Sequence, residues 1–524
     1  MILNFAKDTC VKLNSLRVRN FRGFLDTGIV SLKPINLMIG KNSIGKSSFL
    51  RIWPLFSQGS LVNKTSPILW NGNLVDFGSF GDVISRYSDN KIISFEFEML
   101  HGGFAQNYKR SVASKAFVRM FGPSRVKVSI DVGTNETRTI YKNLILDVYG
   151  YRVEYHFSDD GVLNKVSCGP DNLPYPKYYT IVPVQSFLMP LYDFLIETKV
   201  DNRLIPAYSP LYMNLFWFLR NRLHGRLSDE RVHEIAAKLR VMGSEDAIIK
   251  LASNLPYAYA TWKKFISEVL EDKILASSFA RAVVMAASEL LLADMDSDIK
   301  KYFEAVNYIR PIRATAERYY RKQELSVENI DATGSNVAFF IKSLDRGSLN
   351  RLNDWLNDTL GIKVATHDAE GHVSIKIEDT STGRIDNIAD IGFGFSQALP
   401  LAVQAWLAFD NGRSSTSSKG AVEKILVWEQ PELHLHPAMQ RKLARLIATV
   451  VEKARNESIK FVIETHSQSM VNEIGDLIER QTLSHEDVQI LLFEQESGGS
   501  TVIRTTGYDE EGQLINWPYG FLSV

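Results

Sequence analysis

Eight consecutive residues near the start of the chain have the composition and spacing of a phosphate-binding loop. They are Gly40, Lys41, Asn42, Ser43, Ile44, Gly45, Lys46 and Ser47. Glycine is required because such a loop takes backbone angles that a Cβ would block, and its amide N–H groups surround phosphate oxygens. An apolar, strand-like run precedes the loop, and a helix-like stretch beginning at Ser48 follows it. We therefore predict a nucleoside triphosphate site in which Lys46 contacts the terminal phosphates and Ser47 binds Mg²⁺.

A second stretch, far along the chain, supplies the acid that a phosphate loop needs to hold Mg²⁺. Residues 425–428 are apolar and Glu429 follows them directly, as expected for a buried strand that ends at the ligand-binding edge of a sheet. A further apolar run, 461–463, leads into a polar cluster that contains His466. We expect His466 to contact a γ-phosphate, with a capping histidine or one satisfied in the core as the alternative. The sheet must be completed only after a long insertion.

A glycine-rich segment, residues 390–397, lies between the phosphate loop and Glu429 and contains Gly392, Gly394 and Ser396. It is predicted to be a turn that opens a helix running from about 398 to 409. Such a turn would form a second helix N-terminus able to receive an anion. The alternative is a tight strand-to-helix turn whose glycines are needed for positive φ angles.

Length and composition indicate a folded protein with more than one hydrophobic core. The chain has 524 residues, 45% of them hydrophobic, and its 60 basic and 60 acidic residues cancel. The zero net charge excludes a global attraction to nucleic acid, so any such contact needs a local patch. Two cysteines, Cys10 and Cys168, are typical of a reducing compartment. The sequence start lacks a secretory pattern, and Arg281 and Glu289 interrupt one of the longest apolar windows, which predicts a cytoplasmic protein and no membrane partner.

Hydrophobic periodicity changes along the chain and predicts an alternation of strands and helices. Strand-like runs between 91 and 182 predict an antiparallel sheet beside the nucleotide site. Between 185 and 305 the periodicity is helical, and prolines and glycines predict several short helices. We assign 1–184 to the N-terminal half of the nucleotide-binding unit, 185–305 to a helical insertion, 306–384 to a connecting region of strands and helices, and 385–524 to the C-terminal half.

The order of these pieces resembles the ATP-binding-cassette (ABC) heads of SMC, Rad50 and RecF type ATPases. Further motifs are similar to a bacterial subgroup of anti-phage defence ATPases that includes the Septu ATPase PtuA and retron-associated relatives. These motifs are residues 16–24 (LRVRNFRGF), 67–72 (PILWNG), 76–80 (DFGSF), 429–437 (EQPELHLHP) and 512–521 (GQLINWPYGF). The resemblance covers roughly 1–85 and 305–524. It implies an α/β fold: an ABC-type ATPase head, with a mixed sheet carrying the phosphate loop and an antiparallel side sheet, interrupted by a helical insertion.

The resemblance implies a role for each candidate residue within one copy of the chain. Lys46 and the loop amides up to Ser48 would bind the phosphates of ATP, and Ser47 with Glu429 would hold Mg²⁺. His466 would sense the γ-phosphate held by the same copy. ATP and Mg²⁺ are therefore the expected cofactors.

The resemblance also implies a head-to-head dimer, because in such heads the glycine-rich segment acts on a second copy. Ser396, supported by Gly392 and Gly394, would contact the γ-phosphate held by the other copy. An HNH-type nuclease is the implied partner in defence, with retron RNA or DNA and duplex DNA as further candidates. A DNA-repair ATPase that acts directly on DNA, and a non-hydrolysing scaffold gated by nucleotide, are the alternative functions.

One position departs from the pattern of such heads, in which a second acid follows the Mg²⁺ acid and serves as general base. Gln430 stands there, and an amide can orient a water molecule but cannot accept its proton. A missing base typically lowers the rate by about 10²–10⁴. Glu432 and His434 are nearby substitutes, with exposed loop residues as the alternative. With Gln430, Glu432 and His466 as candidate catalytic residues, we expect slow or absent hydrolysis and ATP acting as a gate on the dimer, and ATPase activity stays open.

Two further groups of residues leave alternatives open. Gln58 and Asp76 are both candidates for the glutamine-loop position of such heads, without a spacing that decides between them. A cluster of arginines interleaved with tyrosines either binds nucleic acid by stacking and ion pairing or forms a salt-bridged face. Its members are Arg310, Arg313, Arg318, Arg321, Tyr308, Tyr319 and Tyr320.

Overall fold

The structure is a computed structural model. It describes residues 11–101, 124–136, 138–176, 179–197, 204–241, 243–256, 259–321, 327–369, 371–410, 422–454 and 459–518. Two features of the sequence lie outside this part, namely Cys10 and the end of the C-terminal motif at 519–521.

The described part of the chain alternates between strands and helices. The strands are β1 (Leu13–Phe21), β2 (Phe24–Asp26), β3 (Val30–Ser31), β4 (Ile35–Gly40), β5 (Ile93–His101), β6 (Ser124–Asn135), β7 (Arg138–Val148), β8 (Tyr151–Phe157), β9 (Leu163–Cys168), β10 (Asp171–Pro174), β11 (Tyr179–Val184), β12 (Leu191–Glu197), β13 (Leu204–Pro206), β14 (Val306–Ile309), β15 (Tyr320–Arg321), β16 (Ile362–Ala369), β17 (His372–Asp379), β18 (Ile385–Asn387), β19 (Lys424–Glu429), β20 (Ile459–Glu464), β21 (Val488–Gln495) and β22 (Thr501–Thr506). The helices are α1 (Lys46–Leu50), α2 (Ile52–Ser60), α3 (Phe80–Val83), α4 (Pro210–Arg220), α5 (Asp229–Lys238), α6 (Glu245–Ser253), α7 (Ala260–Glu271), α8 (Lys273–Glu304), α9 (Val337–Ser343), α10 (Arg346–Leu360), α11 (Phe393–Phe409), α12 (Pro437–Lys453) and α13 (Gln468–Glu479).

A mixed sheet carries the phosphate loop, and its strand order is β14-β19-β20-β4-β21-β22. Neighbours from β14 to β21 pair in parallel, and the edge strand β22 is antiparallel to β21. These strands are apolar runs because parallel strands are covered on both faces, and every residue of β4 is buried. The sheet brings the carboxyl ends of β4, β19 and β20 to one edge, although β4 comes from the start of the chain and the other two from its last third.

Two hydrophobic cores cover the two faces of this sheet. Side chains alternate between faces along a strand, so Ile425 and Val427 of β19 join one core while Leu426 and Trp428 join the other. The first core includes the side sheet and helices α4–α8, and the second includes residues of α9–α13. Burial on both faces fixes the register of the strands, because a slip by one residue would exchange the two sets of side chains.

An antiparallel sheet flanks the first core, as the sequence predicts. Its strand order is β10-β9-β8-β7-β6-β5-β1-β2, with β3 paired to β1. The strand-like runs predicted between 91 and 182 correspond to β5–β10. Cys168 ends β9 and is buried, and this burial raises the pKa of its thiol to about 11, which fits a small side chain without redox chemistry.

The insertion differs from its prediction in two respects. It contains two strands, β12 and β13, which form a sheet with β11 just before the predicted boundary, and α8 is a single helix of 32 residues rather than one of several short helices. No proline or glycine occurs between Lys273 and Glu304 to end α8 earlier. Asp296 on α8 accepts hydrogen bonds from the backbone N–H groups of residues 187–189 at 2.6–2.8 Å, which ties the helix to the start of the insertion.

Among the described helices, α8 alone is long and apolar enough, by length and composition, to cross a membrane. Its apolar window is 61% buried inside the protein, and α8 packs against α2, α4 and α7. A core helix has the same length and composition, so this feature is weak evidence for a membrane span. The cytoplasmic location stays a prediction.

The fold class inferred from the sequence is confirmed. The chain is α/β, with a mixed sheet that carries the phosphate loop, an antiparallel side sheet and an insertion that is mainly helical. The boundaries at 184/185, 305/306 and 384/385 stay predictions of domain organisation.

Candidate functional site

The phosphate loop joins β4 to α1 at the edge where the parallel strands end. Glycine is needed at both of its fixed positions: a Cβ on Gly40 would lie 2.9 Å from the Phe493 carbonyl oxygen, and Gly45 has a φ of 107°. Lys46 is buried, and its Nζ donates to the carbonyl oxygens of Gly40 and Lys41 at 2.9 and 2.7 Å. Burial lowers the pKa of Lys46, because a charged amine loses hydration there. The loop itself therefore holds the lysine in place.

Two glutamates end neighbouring strands beside this loop. Glu429 of β19 and Glu464 of β20 are direct partners in the parallel register, so their side chains leave the same face about 4.8 Å apart. Both are buried, with exposed fractions of 3% and 2%. The sequence prediction paired Ser47 with Glu429, but the hydroxyl of Ser47 donates to Glu464 Oε1 at 3.0 Å.

Glu429 is held by a different set of contacts. The guanidinium of Arg51 donates to both of its oxygens, at 2.7 and 3.0 Å, and the hydroxyl of Tyr308 donates to Oε2 at 2.6 Å. Arg51 lies one helical turn after Ser47, with its backbone N–H bonded to the Ser47 carbonyl oxygen. The predicted Mg²⁺ acid is therefore fully hydrogen-bonded within the chain.

Glu464 has fewer hydrogen-bond partners than Glu429. Its Oε2 is buried and has no hydrogen-bond partner among the described residues. Burial, together with the nearby charge of Glu429, raises the pKa of Glu464 to about 7. Sequence reasoning missed this residue, although Glu464 ends an apolar strand in the same way as Glu429, and that repeated pattern was the available signal.

The turn after β19 carries the candidate catalytic residues. Gln430 has a φ of 46°, and its backbone N–H donates to the Glu464 carbonyl oxygen at 2.9 Å, which fixes the turn to β20. Glu432 is buried, not exposed as the alternative held, and its Oε1 accepts from the His466 backbone N–H at 2.6 Å. Burial raises the pKa of Glu432. His434 is exposed, as that alternative expected.

His466 follows β20, the strand that lies between β4, which leads into the phosphate loop, and β19, which ends at Glu429. Its Nε2 is buried and has no hydrogen-bond partner among the described residues. Burial, with the nearby charge of Lys46, lowers the pKa of His466, so the imidazole is neutral at physiological pH. The alternative of a core-satisfied histidine does not account for this unpaired nitrogen.

The glycine-rich segment differs from its prediction. Helix α11 begins at Phe393 rather than near Ala398, so Gly394 and Ser396 belong to its first turn and Gly392 caps it. Neither glycine has a positive φ, since Gly392 lies at −44° and Gly394 is helical, so the alternative of a strained turn is wrong. A Cβ on Gly392 would meet no atom of the described residues within 4 Å, and one on Gly394 would be 3.8 Å from Leu435. Ser396 is buried, with 6% exposure.

Arg313 connects this segment to the turn after β19. Its Nε donates to Gln397 Oε1 at 3.2 Å, and its NH2 group donates to the carbonyl oxygens of Pro431 and Leu433 at 3.1 and 3.3 Å. The side chain is buried, and this burial lowers the pKa of Arg313 to about 10. One guanidinium therefore bridges the start of α11 and the 430–436 turn.

Two other arginines of the 308–321 cluster, Arg310 and Arg318, are also engaged within the chain. Arg310 donates to the carbonyl oxygens of Asn73 and Leu74, and Arg318 pairs with Asp390. Tyr319 and Arg321 are exposed. These contacts favour the salt-bridged alternative over a stacking surface for nucleic acid.

Gln58, the candidate for the glutamine-loop position, is a structural residue in this chain. It is buried, accepts from the backbone N–H groups of Leu74 and Val75 at 3.1 and 2.9 Å, and donates to the Leu69 carbonyl oxygen at 3.0 Å. Asp76 accepts from the Gly78 backbone N–H at 2.8 Å. Gln58 therefore holds the 69–75 segment in place.

The residues at the edge of the sheet fit a Mg²⁺–nucleotide. Loop amides and Lys46 suit phosphate oxygens, and the unpaired atoms Glu464 Oε2 and His466 Nε2 suit a cation and a phosphate respectively. Within the described residues, no group of three or more His, Cys, Asp or Glu residues could hold a metal ion. A Mg²⁺ ion here would accordingly share its six positions with phosphate oxygens and water.

The loop, the strand order and the acids at the strand ends are those of a nucleotide-binding α/β domain. The family model described as "AAA ATPase domain" matches residues 12–145 and 263–471, more than half of the chain. The chain therefore belongs to the AAA ATPase domain family, which implies nucleotide binding. The stretch between the two matched segments contains β8–β13 and α4–α6.

Several solved structures of SMC head domains are similar to the chain. One is the SMC head of Pyrococcus furiosus with an extended coiled coil, bound to the C-terminal domain of ScpA, at 10% identity, 95% coverage of this chain, 96% of that chain and a TM-score of 0.35. Another is an SMC head bound to the C-terminal winged-helix domain of ScpA, at 10% identity, coverage of 95% and 98%, and a TM-score of 0.35. The SMC head domain of Thermotoga maritima has 8% identity, coverage of 94% and 98%, and a TM-score of 0.32.

The bridge formed by Arg313 makes a testable prediction. In Arg313→Lys the ammonium cannot span Gln397 and both carbonyl oxygens, and hydrogen bonds from a buried charged donor are worth about 1.5–3 kcal/mol. Amide hydrogen exchange should then become at least about tenfold faster at 393–397 and at 430–436 together. Arg351→Lys, which alters an ion pair of a half-exposed arginine with Asp410, is the matched control and should leave both segments unchanged. Faster exchange in one segment alone would contradict the bridging role.

Proposed function

We propose that this chain is the ATP-binding subunit of an anti-phage defence system, in which two ABC-type heads close around ATP and Mg²⁺ and thereby regulate or carry a nuclease effector. One observation supports the nucleotide part above all others. Residues from two distant parts of the chain meet at one edge of the sheet: Lys46 of the phosphate loop, and Glu464 and His466 at the end of β20 and just after it, the latter two each with one buried polar atom that has no partner among the described residues.

Dimerisation is supported by the surface of the glycine-rich segment. Nothing within the described chain requires glycine at 392 by backbone angle or by contact, and Gly392 is exposed. A residue without a side chain at a helix N-terminus lets another molecule approach the backbone closely. A phosphate held by a second copy fits this need.

Slow hydrolysis is supported by the surroundings of Gln430. A general base must reach the attacking water, yet Glu432 is buried and bonded to the His466 backbone, and His434 is exposed. Glu432 lies near enough to act on the charge of Lys46, but it is enclosed by the chain, and His434 faces away from the buried part of the site. ATP then acts mainly by holding the dimer closed.

The defence role has its support in the sequence motifs that resemble the Septu and retron-associated ATPases. An HNH-type nuclease is the proposed protein partner, and retron RNA or DNA is the proposed nucleic acid. Direct action on duplex DNA, as in a repair ATPase, is less favoured because Arg310, Arg313 and Arg318 are used within the chain.

ATP-dependent dimerisation can be tested with one substitution on each side of the interface. Lys46→Ala should abolish both nucleotide binding and dimer formation, whereas Gly392→Glu should keep nucleotide binding and lose the dimer, because a carboxylate would face the partner's phosphate. The measurements are binding of a fluorescent ATP analogue and sedimentation velocity with and without ATP and Mg²⁺. Gly225→Glu, an exposed glycine of the insertion, is the control. A dimer that forms equally well in Gly392→Glu would refute the proposed interface.

The identity of residue 430 should set the rate of hydrolysis. Gln430→Glu restores a group able to accept a proton and should raise the phosphate-release rate by about 10²–10⁴ over the slow wild type. Nucleotide affinity is measured in parallel to separate the chemical step from binding. Wild-type turnover as fast as that of the variant would show that the amide is no obstacle.

If the chain regulates or carries a nuclease, the two proteins should form a stable complex. Co-expression with the product of the neighbouring gene should yield a complex that co-purifies with the wild-type chain, and Lys46→Ala should change the yield or the nuclease activity of that complex. The readouts are the mass of the complex and cleavage of duplex DNA. Absence of any nuclease in the complex, combined with tight and salt-sensitive DNA binding by the chain alone, would favour the repair ATPase instead.

A further inference from the structure

Two buried glutamates stand side by side at the ligand edge of the sheet, and their contacts are unequal. Both oxygens of Glu429 are occupied, by the guanidinium of Arg51 and the hydroxyl of Tyr308. Glu464 has one oxygen on Ser47 and the other without a partner among the described residues. We infer that Glu464, rather than Glu429, is the carboxylate that binds Mg²⁺ together with Ser47. This inference rests on the proposed function, which places a Mg²⁺–nucleotide at this edge.

The distance between Ser47 and Glu464 fits a shared cation. Two neighbouring oxygens bound to one octahedral Mg²⁺ at 2.0–2.1 Å lie about 2.9 Å apart. Ser47 Oγ and Glu464 Oε1 are 3.0 Å apart without the ion. Mg²⁺ could therefore bind both oxygens with little movement of either side chain, with the Ser47 hydroxyl keeping its proton and turning it away from Glu464.

Charge balance favours the same residue. Arg51 neutralises Glu429 by a two-pronged ion pair, in which 38% of the arginine side chain and 3% of the glutamate side chain are exposed. Lys46, the other nearby cation, donates to the carbonyl oxygens of its own loop. Glu464 and Glu432 have no direct ion pair among the described residues, and each has one buried oxygen without a partner. Of these two acids, Glu464 is the one in contact with Ser47, and a buried unpaired carboxylate is costly until a cation joins it.

Glu429 has a positioning role in this scheme. Its contacts join three elements: Arg51 follows the loop helix α1, Glu429 ends β19, and Tyr308 belongs to the neighbouring strand β14. For Glu429 to bind Mg²⁺ directly, a buried guanidinium contact and a tyrosine contact would both have to break. Holding the loop helix at a fixed distance from the sheet is the function that these contacts fit.

The experiment compares two isosteric substitutions at matched positions, Glu464→Gln and Glu429→Gln, using Mn²⁺ in place of Mg²⁺. Free Mn²⁺ is measured by electron paramagnetic resonance during titration of the chain with a non-hydrolysable ATP analogue, and nucleotide binding in EDTA is measured separately. Glu464→Gln should lower the Mn²⁺ affinity at least about tenfold while keeping metal-free nucleotide binding. Glu429→Gln should keep the Mn²⁺ affinity within about threefold and lower the melting temperature, because Arg51 loses its partner.

Each other outcome has a distinct meaning. A loss of Mn²⁺ affinity in Glu429→Gln that equals or exceeds the loss in Glu464→Gln overturns the inference, since Glu429 would then be a ligand. Wild-type chain that binds no nucleotide, with or without metal, contradicts the proposed function itself. Melting curves verify that both variants fold, and if Glu464→Gln does not, Glu464→Asp replaces it. That variant keeps the charge but withdraws it by one methylene, and it should weaken Mn²⁺ binding while leaving nucleotide binding in EDTA intact.

Discussion

The parallel pairing of β4, β20 and β19 is the constraint on which the site depends. These strands come from opposite ends of the chain, and their parallel pairing aligns Glu464 with Met38 and Glu429 with Glu464. A slip of one residue would turn either carboxylate to the other face, away from the phosphate loop. The apolar side chains on both faces of each strand resist such a slip, because it would exchange the contents of two cores. The chemistry at the edge is thus fixed by packing in the middle of the sheet.

The charges at this edge also explain why an amide is acceptable at position 430. Glu429, Glu432 and Glu464 already place three buried carboxyl groups within a short distance of the loop, and burial raises the pKa of Glu432 and Glu464. A fourth carboxylate at 430 would add repulsion between like charges in a region of low hydration. Glutamine keeps the shape of the turn and removes that repulsion.

The sequence was sufficient for the parts of the site that are local. The loop 40–47 and the strand that ends at Glu429 have fixed spacing and strong apolar patterns, and both occur where they were predicted. The sequence did not predict the contacts between distant segments. Ser47 meets Glu464 rather than Glu429 because β20 is inserted between β4 and β19, and strand order cannot be read from spacing. The sequence placed the start of α11 too late, because glycine is a weak helix former. In the first turn of a helix, however, the backbone N–H groups have no intrahelical partner in any case, so glycine is tolerated there. The full length of α8 was not predicted, because the charged residues in its last turns interrupt the apolar pattern from which the helix was inferred.

The position of Arg313 gives a physical route by which the two faces of a head influence each other. In the proposed dimer, the start of α11 faces the partner's phosphate, while the 430–436 turn lies beside the nucleotide of its own copy. Arg313 is hydrogen-bonded to both, and Glu432 of that turn holds the His466 backbone. Because the guanidinium is buried and rigid, a displacement of Gln397 on docking has to be absorbed by Pro431 and Leu433 or by breaking a charged hydrogen bond. In the proposed dimer, closure over one nucleotide would then alter the surroundings of His466 at the other.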